Sequence, residues 1–440
     1  MRAEPIRLGK RALPPRRGKE QFPIVPLNAL YLGDNQSVLR NHVADNAVDL
    51  VYLDPPFNSG SDYHVVARRR DDARSSMARA FRDLWCWDEA AHGAFAELLA
   101  QGGHLAQVLQ AFQTLVGPGG MLAYLTMMAP RLRELRRVLK PTGSIYLHCD
   151  PAAGHYLRVL LDAIFGPAQF RNQIVWRRTG AHGPRRSFGP VHDTILFYTK
   201  TSSYYFKTVQ RPYMRGHVSR RYRRDGKGRL KFASGGNVLT GAQATAGESG
   251  QPWRGFDPAA KNRHWAIPGF LAAQMPVEFT NLGVLAKLDA LYDAGLIEIP
   301  EGAAWPVPVR YLERDGGQPL PDLWTYQPYT EGAVHGTEAG IDADVAWLGP
   351  TDPERLGYQT QKPLGLLERI IRSSCPEDGV VLDPFCGSGT TLVAAHGLQC
   401  RWLGIDMAAG AIAVVEQRLR ARLGLEPGKD YRLLRAPSPA

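Results

Sequence analysis

Two short runs of the sequence bring together residue types that could do chemistry. The first is Asp54-Pro55-Pro56-Phe57, which ends the near-continuous apolar run Val48 to Leu53. Its chemistry would suit an amine conjugated to a flat ring. Such a nitrogen is a poor nucleophile, because its lone pair is delocalised into the ring. A carboxylate oxygen of Asp54 and the carbonyl of Pro55 can each accept an N–H bond from it, which favours a tetrahedral nitrogen and helps the proton leave. Two prolines stiffen the run so that the acceptors point one way, and Phe57 supplies a face on which a planar ring can stack. Asp-Pro-Pro also describes a plain strand-ending turn, and alone it fits that reading better.

The second run is Val-Leu-Asp-Pro-Phe-Cys-Gly-Ser-Gly-Thr-Thr, Val381 to Thr391. Gly387 and Gly389 permit a tight turn and close approach of the backbone to a ligand at a helix N-terminus. A P-loop is excluded, since no Gly-Lys-Ser/Thr follows, and a dinucleotide fingerprint fits poorly because its third glycine is Leu392 here. Downstream, Asp406 ends the apolar run Arg401 to Asp406, where a carboxylate can hold the two hydroxyls of a ribose. A glycine loop alone is a weak signal. Strand, glycine loop, helix, strand and acid in that order is a good one.

Elements that could position these runs are legible on both sides of them. Val48 to Asp54 has the look of a buried parallel strand running into a loop. The basic stretch Ala129 to Lys140 is helical, and Pro141-Thr-Gly143 should stop it. Gly143 to Asp150 predicts a second strand, followed by a helix. Two more strands, Gln173 to Arg178 and Asp193 to Lys200, flank a Gly/Pro turn. After Gly357 the pattern returns: a helix with Leu366, Leu367, Ile370 and Ile371 on one face, a buried strand, the glycine loop, a helix from Leu392 to His396, the strand ending at Asp406 and a helix to about Leu423. Strands alternating with helices predict a Rossmann-like, doubly wound α/β fold whose mostly parallel sheet is built from both ends of the chain. The organisation expected is a disordered basic arm over 1–26, two α/β parts over 27–209 and 341–425, an irregular insert over 210–340, and a polar tail over 426–440.

The insert is rich in Gly, Pro and aromatic residues and shows no clear period. It opens with a basic cluster that includes Arg220, Arg221, Arg223 and Arg224, in which Asp225 is the only acid and Tyr213, Tyr222 and Phe232 are interleaved. The whole chain carries a formal charge of +11, with a pI near 9.5. On charge alone, a polyanionic partner and a basic surface kept for solubility are equally good readings. The five cysteines, Cys86, Cys149, Cys375, Cys386 and Cys400, form no Cys-x-x-Cys pair and fit free thiols in a reducing compartment. No apolar run reaches the roughly 20 residues that span a bilayer, and the basic, proline-rich N-terminus lacks the apolar core of a signal peptide. His148 and Cys149 have no second cluster at ligand spacing, so no metal is expected. Cysteine nucleophilic catalysis normally shows a Pro-Cys pair, whereas Cys375-Pro376 runs in reverse.

Taken together, the two runs resemble the β-type amino-methylating DNA methyltransferases, which modify adenine N6 or cytosine N4 and in which an Asp-Pro-Pro-aromatic motif precedes the cofactor's glycine loop. The likeness extends to the segments Tyr31 to Tyr63, Arg310 to Trp324, Gly357 to Ile371 and Val381 to Asp406, and covers about two-thirds of the chain. Type III modification subunits and solitary methyltransferases share the layout. The resemblance implies S-adenosyl-L-methionine as cofactor and double-stranded DNA as partner. Asp54, Pro55, Pro56 and Phe57 would form the catalytic loop. Asp383, Phe385, Cys386, Gly387 and Gly389 would wrap the methionine part of the cofactor, Asp406 would hold its ribose, Asp34 would lie near its adenine, and Lys362 would help close the pocket. The insert would read DNA, with Arg220, Arg221, Arg223, Arg224, Trp253, Arg254, Lys261 and Arg263 as contacts, since Trp, Arg and Lys stack on bases and meet phosphates.

The expected activity is methylation of adenine N6 at specific sites in duplex DNA, with the base flipped out of the helix. Aspartate at the first motif position favours adenine, while relatives acting on cytosine N4 more often carry serine. Phe57 departs from the commoner tyrosine but keeps the stacking face. Cytosine N4 methylation is the nearest alternative, and a catalytically silent DNA-binding specificity subunit is the alternative from another class. The reading is compatible with a homodimer and with a restriction subunit as partner, implies no membrane, and places the protein in the cytoplasm with the nucleoid.

Overall fold

The computed structural model describes residues 28–56, 62–67, 76–82, 85–180, 186, 188–233, 239–314, 317–325 and 345–436. The expected arm over 1–26 and Phe57 lie outside the described residues. The chain divides into two compact units, residues 1–207 with 347–440, and residues 208–346.

In the first unit, strands β1 (Asn28–Leu32), β2 (Val48–Leu53), β5 (Leu139–Cys149), β6 (Phe170–Arg177), β7 (His192–Thr199), β8 (Val380–Asp383), β9 (Arg401–Asp406) and β10 (Tyr431–Arg435) join one sheet. Their order is β6-β7-β5-β2-β8-β9-β1-β10. β5, β2, β8, β9, β1 and β10 run parallel, and β7 is antiparallel to both its neighbours. A separate antiparallel hairpin, β3 (Asp62–Ala67) with β4 (Ser76–Arg82), follows β2. The helices are α1 (Asn35–His42), α2 (Glu89–Ala100), α3 (Gly103–Val116), α4 (Gly120–Val138), α5 (Pro151–Phe165), α6 (Leu364–Ser374), α7 (Thr390–Gly397) and α8 (Ala409–Leu423). This is the doubly wound, mostly parallel α/β architecture expected.

All six residues of β2 are buried, which is why it reads as an apolar run and not as an alternation. The exception in that run, Asp49, is used for joining. Its Oδ2 accepts from Val380 N at 2.9 Å and from Lys140 Nζ at 2.7 Å, so β2 is tied to β8 across a separation of 331 residues. Val381 pairs with Leu50 and Leu382 with Val51. The carboxyl ends of an early and a late strand therefore lie side by side, with Asp54 after one and Asp383 ending the other. Such ends, where connections diverge, are where open α/β sheets bind ligands.

Two boundaries differ from expectation. Helix α4 ends at Val138, and β5 begins at Leu139, ahead of the proline expected to stop the helix. Leu139 pairs with Val48 and Ser144 with Leu50, so residues 140–143 form a bulge in which Pro141 needs no ladder N–H. The expected tail over 426–440 is also corrected. Tyr431–Arg435 forms β10, pairing with β1 along its whole length, and Tyr431 is buried against Trp402. Burial of that ring gives an otherwise polar segment a reason to dock.

The second unit has its own core of Leu239, Trp253, Trp265, Leu271, Phe279, Leu288, Leu291, Leu296 and Ile297. Two- and three-residue hairpin strands and the helices Gly269–Ala272 and Val284–Asp293 contribute to it. Elements this short leave little periodicity for a sequence reading to find. Among the described residues, no helix is long and apolar enough to cross a membrane.

Candidate active site

A cavity of about 430 Å³ opens in the first unit at the ends of β2, β8 and β9. Asp54, Pro55 and Pro56 line one side, and Asp383, Phe385, Cys386, Gly387 and Asp406 another, with Asp34 and Lys362 also in the wall. The two runs, which begin 327 positions apart at Asp54 and Val381, thus face one space. That arrangement was the condition for their acting together.

Asp54 is nearly enclosed, and its two oxygens differ. Oδ2 is ion-paired with Lys362 Nζ. Oδ1 is buried and, among the described residues, has no hydrogen-bond partner. An ionised carboxylate oxygen left so is costly unless a donor arrives, and the cavity is where one could come from. Lys362, expected to help close the cofactor pocket, lines that pocket but also grips the Asp54 carboxylate, with a second bond to Thr360 O at 3.3 Å.

The glycine loop is held from three directions. Asp383 Oδ1 accepts from Phe385 N at 3.0 Å and its Oδ2 from the Thr391 hydroxyl at 2.5 Å. Cys386 N donates to Ile405 O, and Gly387 N donates to Asp406 Oδ2 at 2.9 Å. Gly387 and Gly389 have φ of +47° and +72°, a left-handed region in which a Cβ is strained. A Cβ on Gly389 would also come within 3.0 Å of Val415. Asp406, expected at the ribose, uses one oxygen on Gly387 N and the other on Ala408 N, so it braces the loop and keeps only spare lone pairs for hydroxyls.

The charge of the cavity is negative. Burial raises Asp383 to about 7, against the hydrogen bonds from Thr391 and Phe385, with the Asp54 and Asp406 charges adding to the rise. Burial likewise raises Asp406 and the Cys386 thiol. Four carboxyl groups, Asp34, Asp54, Asp383 and Asp406, against two cations, Arg131 and Lys362, suit a cationic ligand and repel phosphates. The residues present therefore fit a sulfonium donor: a left-handed backbone cradle, an acidic wall, and one carboxylate oxygen still in need of a donor.

Several supporting contacts carried no sequence signal. Asp34 caps α1 through Ser37 N, as an aspartate before a helix often does, but it is also ion-paired with Arg131. Arg131 Nε donates to Asn35 Oδ1 at 2.6 Å, and Asn35 Nδ2 donates to Pro384 O at 2.8 Å, linking α4 to the glycine loop. Arg131 belongs to the basic stretch of α4, where charge alone does not separate a solvated side chain from a partnered one. Its apolar neighbours Ala129, Pro130 and Leu132 were the one available hint of burial. Arg418 is fully buried and donates to Ser388 O at 3.1 Å, Thr390 Oγ1 at 2.6 Å and Glu354 Oε1 at 3.1 Å. Tyr358, buried beside Gly387, completes the wall.

The expected DNA contacts belong to the second unit. Arg220, Arg221, Arg223 and Arg224 are exposed on the helix Arg215–Arg221 and the strand Tyr222–Arg224. Arg254 lies over Tyr292 and pairs with Asp289, and Lys261 lies 5.1 Å from the Trp305 ring. Arg263 is half-buried in a hairpin strand. Trp253 corrects the expectation. It is 5 % exposed, packs edge-on against Trp265 and donates Nε1–H to Asp289, so its ring is a core element with no face free for a base.

The family model described as DNA methylase, for N6 and N4 enzymes, matches residues 48–417. The Type II methyltransferase M.EcaI of Enterobacter cloacae is 26% identical over 415 residues, covering 94% of this chain and 73% of that protein. The StyLTI Mod subunit, from a Type III restriction-modification enzyme of Salmonella typhimurium, is 27% identical over 387 residues, covering 84% of this chain. The EcoP15I Mod subunit of Escherichia coli is 23% identical over 396 residues, covering 82%. The chain spans 50% and 54% of the lengths of these two Mod subunits. The family match takes in the Asp54 loop, Lys362, the glycine loop and Asp406, and with them the cavity that fits S-adenosyl-L-methionine, the methyl donor of this chain. The chain belongs to the N6/N4 DNA methylase family, and it is a DNA methyltransferase.

Proposed function

We propose that the chain methylates the exocyclic N6 of adenine at specific sites in duplex DNA, with the target base turned out of the helix into the cavity beside Asp54. The observation that carries this reading is the asymmetry of the Asp54 carboxylate, one oxygen anchored by Lys362 and the other buried with no partner among the described residues. S-adenosyl-L-methionine supplies a methyl group made electrophilic by the adjoining sulfonium. Asp54 Oδ1 accepts one N–H of the amine, and the Pro55 carbonyl offers an acceptor for the other. Asp54 takes up the proton that the amine sheds as its lone pair forms the new N–C bond and the methyl–sulfur bond breaks, its electron pair staying on the sulfur of the departing thioether. Lys362 holds the carboxylate in its orientation until then. Phe57 would supply the stacking face. Aspartate in place of serine at this position supports adenine over cytosine.

The exposed arginines Arg220, Arg221, Arg223 and Arg224 are proposed to meet DNA phosphates, with Arg254, Lys261 and Arg263 as further contacts. Likeness to Type III Mod subunits supports a restriction subunit as partner. Replacing Asp54 tests the reading most directly. Asp54→Ala should lower the methyl-transfer rate by about a thousandfold or more, while S-adenosyl-L-methionine affinity, measured by equilibrium binding, stays within about threefold. Full activity in that variant would refute the assignment. Modification sequencing of DNA from cells expressing the protein reports the base, and N4-methylcytosine there would overturn the choice of adenine.

A further inference from the structure

A hydrogen-bonded row crosses three neighbouring strands behind the Asp54 loop. Tyr52 stands two residues before Asp54 on β2, and its ring lines the cavity. Its hydroxyl lies 2.9 Å from His148 Nδ1 on β5, and His148 Nε2 lies 3.0 Å from Asp193 Oδ2 on β7. Asp193 Oδ1 is ion-paired at 2.8 Å with Arg178 Nε, whose side chain reaches solvent. His148 is wholly buried, and Tyr52 and Asp193 nearly so, with Trp176 edge-on against the imidazole. Burying a charge in a sheet is costly, and apolar residues would have filled the space more cheaply.

The polarity of the row follows from its far end. Burial pushes the Asp193 carboxyl up, but the His148 hydrogen bond and the charges of Lys362 and Arg178 bring it below the ordinary carboxylate range. Ionised Asp193 accepts from Nε2–H. Nδ1 is then left as the acceptor for the Tyr52 hydroxyl. Neither His148 nor Asp193 lines the cavity, and the hydrogen-bonded row from them reaches its wall at Tyr52.

We propose that His148 and Asp193 are a positioning pair for methyl transfer: by holding the Tyr52 hydroxyl they fix the end of β2, and with it the direction of the Asp54 carboxylate. The proposal rests on the catalytic reading of Asp54. An amine must approach that carboxylate in line with the donor, and misplacement by about 1 Å is enough to slow such a step by roughly a hundredfold.

Two substitutions at one position separate positioning from support. Asparagine at 148 sets its amide near where Nδ1 stands, in reach of Tyr52 but not of Asp193. Glutamine sets its amide near Nε2, in reach of Asp193 but not of Tyr52. Single-turnover methyl transfer in His148→Asn should stay within about threefold of the unsubstituted protein although its melting temperature falls, because Asp193 loses its partner. His148→Gln should melt close to the unsubstituted protein yet transfer roughly tenfold or more slowly. Tyr52→Phe, which keeps the ring and loses only the hydroxyl, should be slowed like His148→Gln and supplies the test should either 148 variant not fold. S-adenosyl-L-methionine affinity by equilibrium binding should stay within about twofold in all three.

Transfer rates that follow the melting temperatures, with His148→Gln faster than His148→Asn, would overturn the proposal in favour of a purely structural row. So would an unslowed Tyr52→Phe. Failure of the Asp54 reading shows separately, as an active Asp54→Ala, whatever the order of the 148 variants.

Discussion

In the first unit, Lys362, Arg131 and Arg418 are sunk among named partners, their side chains 12%, 16% and 1% exposed. In the second, Arg220, Arg221, Arg223 and Arg224 stand in solvent, and the bonds of Arg223 and Arg224 go to nearby backbone carbonyls. The same residue types thus do opposite work. A buried cation defines one geometry, and its removal leaves a partner charged and unsolvated. An exposed cation adds to a field that many neighbours share, so no single one is decisive.

Arg418 puts the buried side of this contrast at greatest risk. Arg418→Leu should destabilise the first unit by roughly 3–5 kcal/mol, since Glu354 and the glycine loop lose their common donor. Denaturant unfolding measures this. Adding Glu354→Leu should recover part of the loss, and a double variant worse than the sum of the two would contradict the account.

A pH dependence is expected at the cavity wall. Because the fold raises Asp383 to about 7, it favours the neutral form, and stability attributable to this group declines as pH rises from the ordinary carboxylate range toward 7. A bound cation favours the ionised form instead. Affinity for S-adenosyl-L-methionine should therefore rise with pH, by at most about tenfold per unit, and level off above about 7. Asp383→Asn should flatten the profile, which equilibrium binding at several pH values would show.

The smallest effect belongs to the exposed strip. Replacing Arg223 or Arg224 with alanine should weaken DNA binding only several-fold, by roughly the same factor for any sequence, and lower the salt slope by about one. Loss of sequence preference without a change in slope would mean that these residues read bases.

What could be read along the chain was local. The apolar run of β2 and the left-handed glycines before α7 each depend on residues a few positions apart. Period and turn chemistry therefore exposed them, together with the two loops of the site. Trp253 shows the limit. Its composition suited a base-stacking surface, and only packing against Trp265 and Asp289 made it core.

Sequence by itself determined the kind of chemistry, since Asp54 and the glycine loop specify an acceptor and a donor cradle. Tertiary structure alone decided which oxygen of Asp54 is anchored, which arginines are sunk, and that His148 stands behind Tyr52. Lys362 meets Asp54 across 308 residues, Arg131 meets Asp34 across 97, and Tyr52 meets His148 across 96. No local pattern encodes such meetings, because they exist only once the two halves of the sheet have closed around one core.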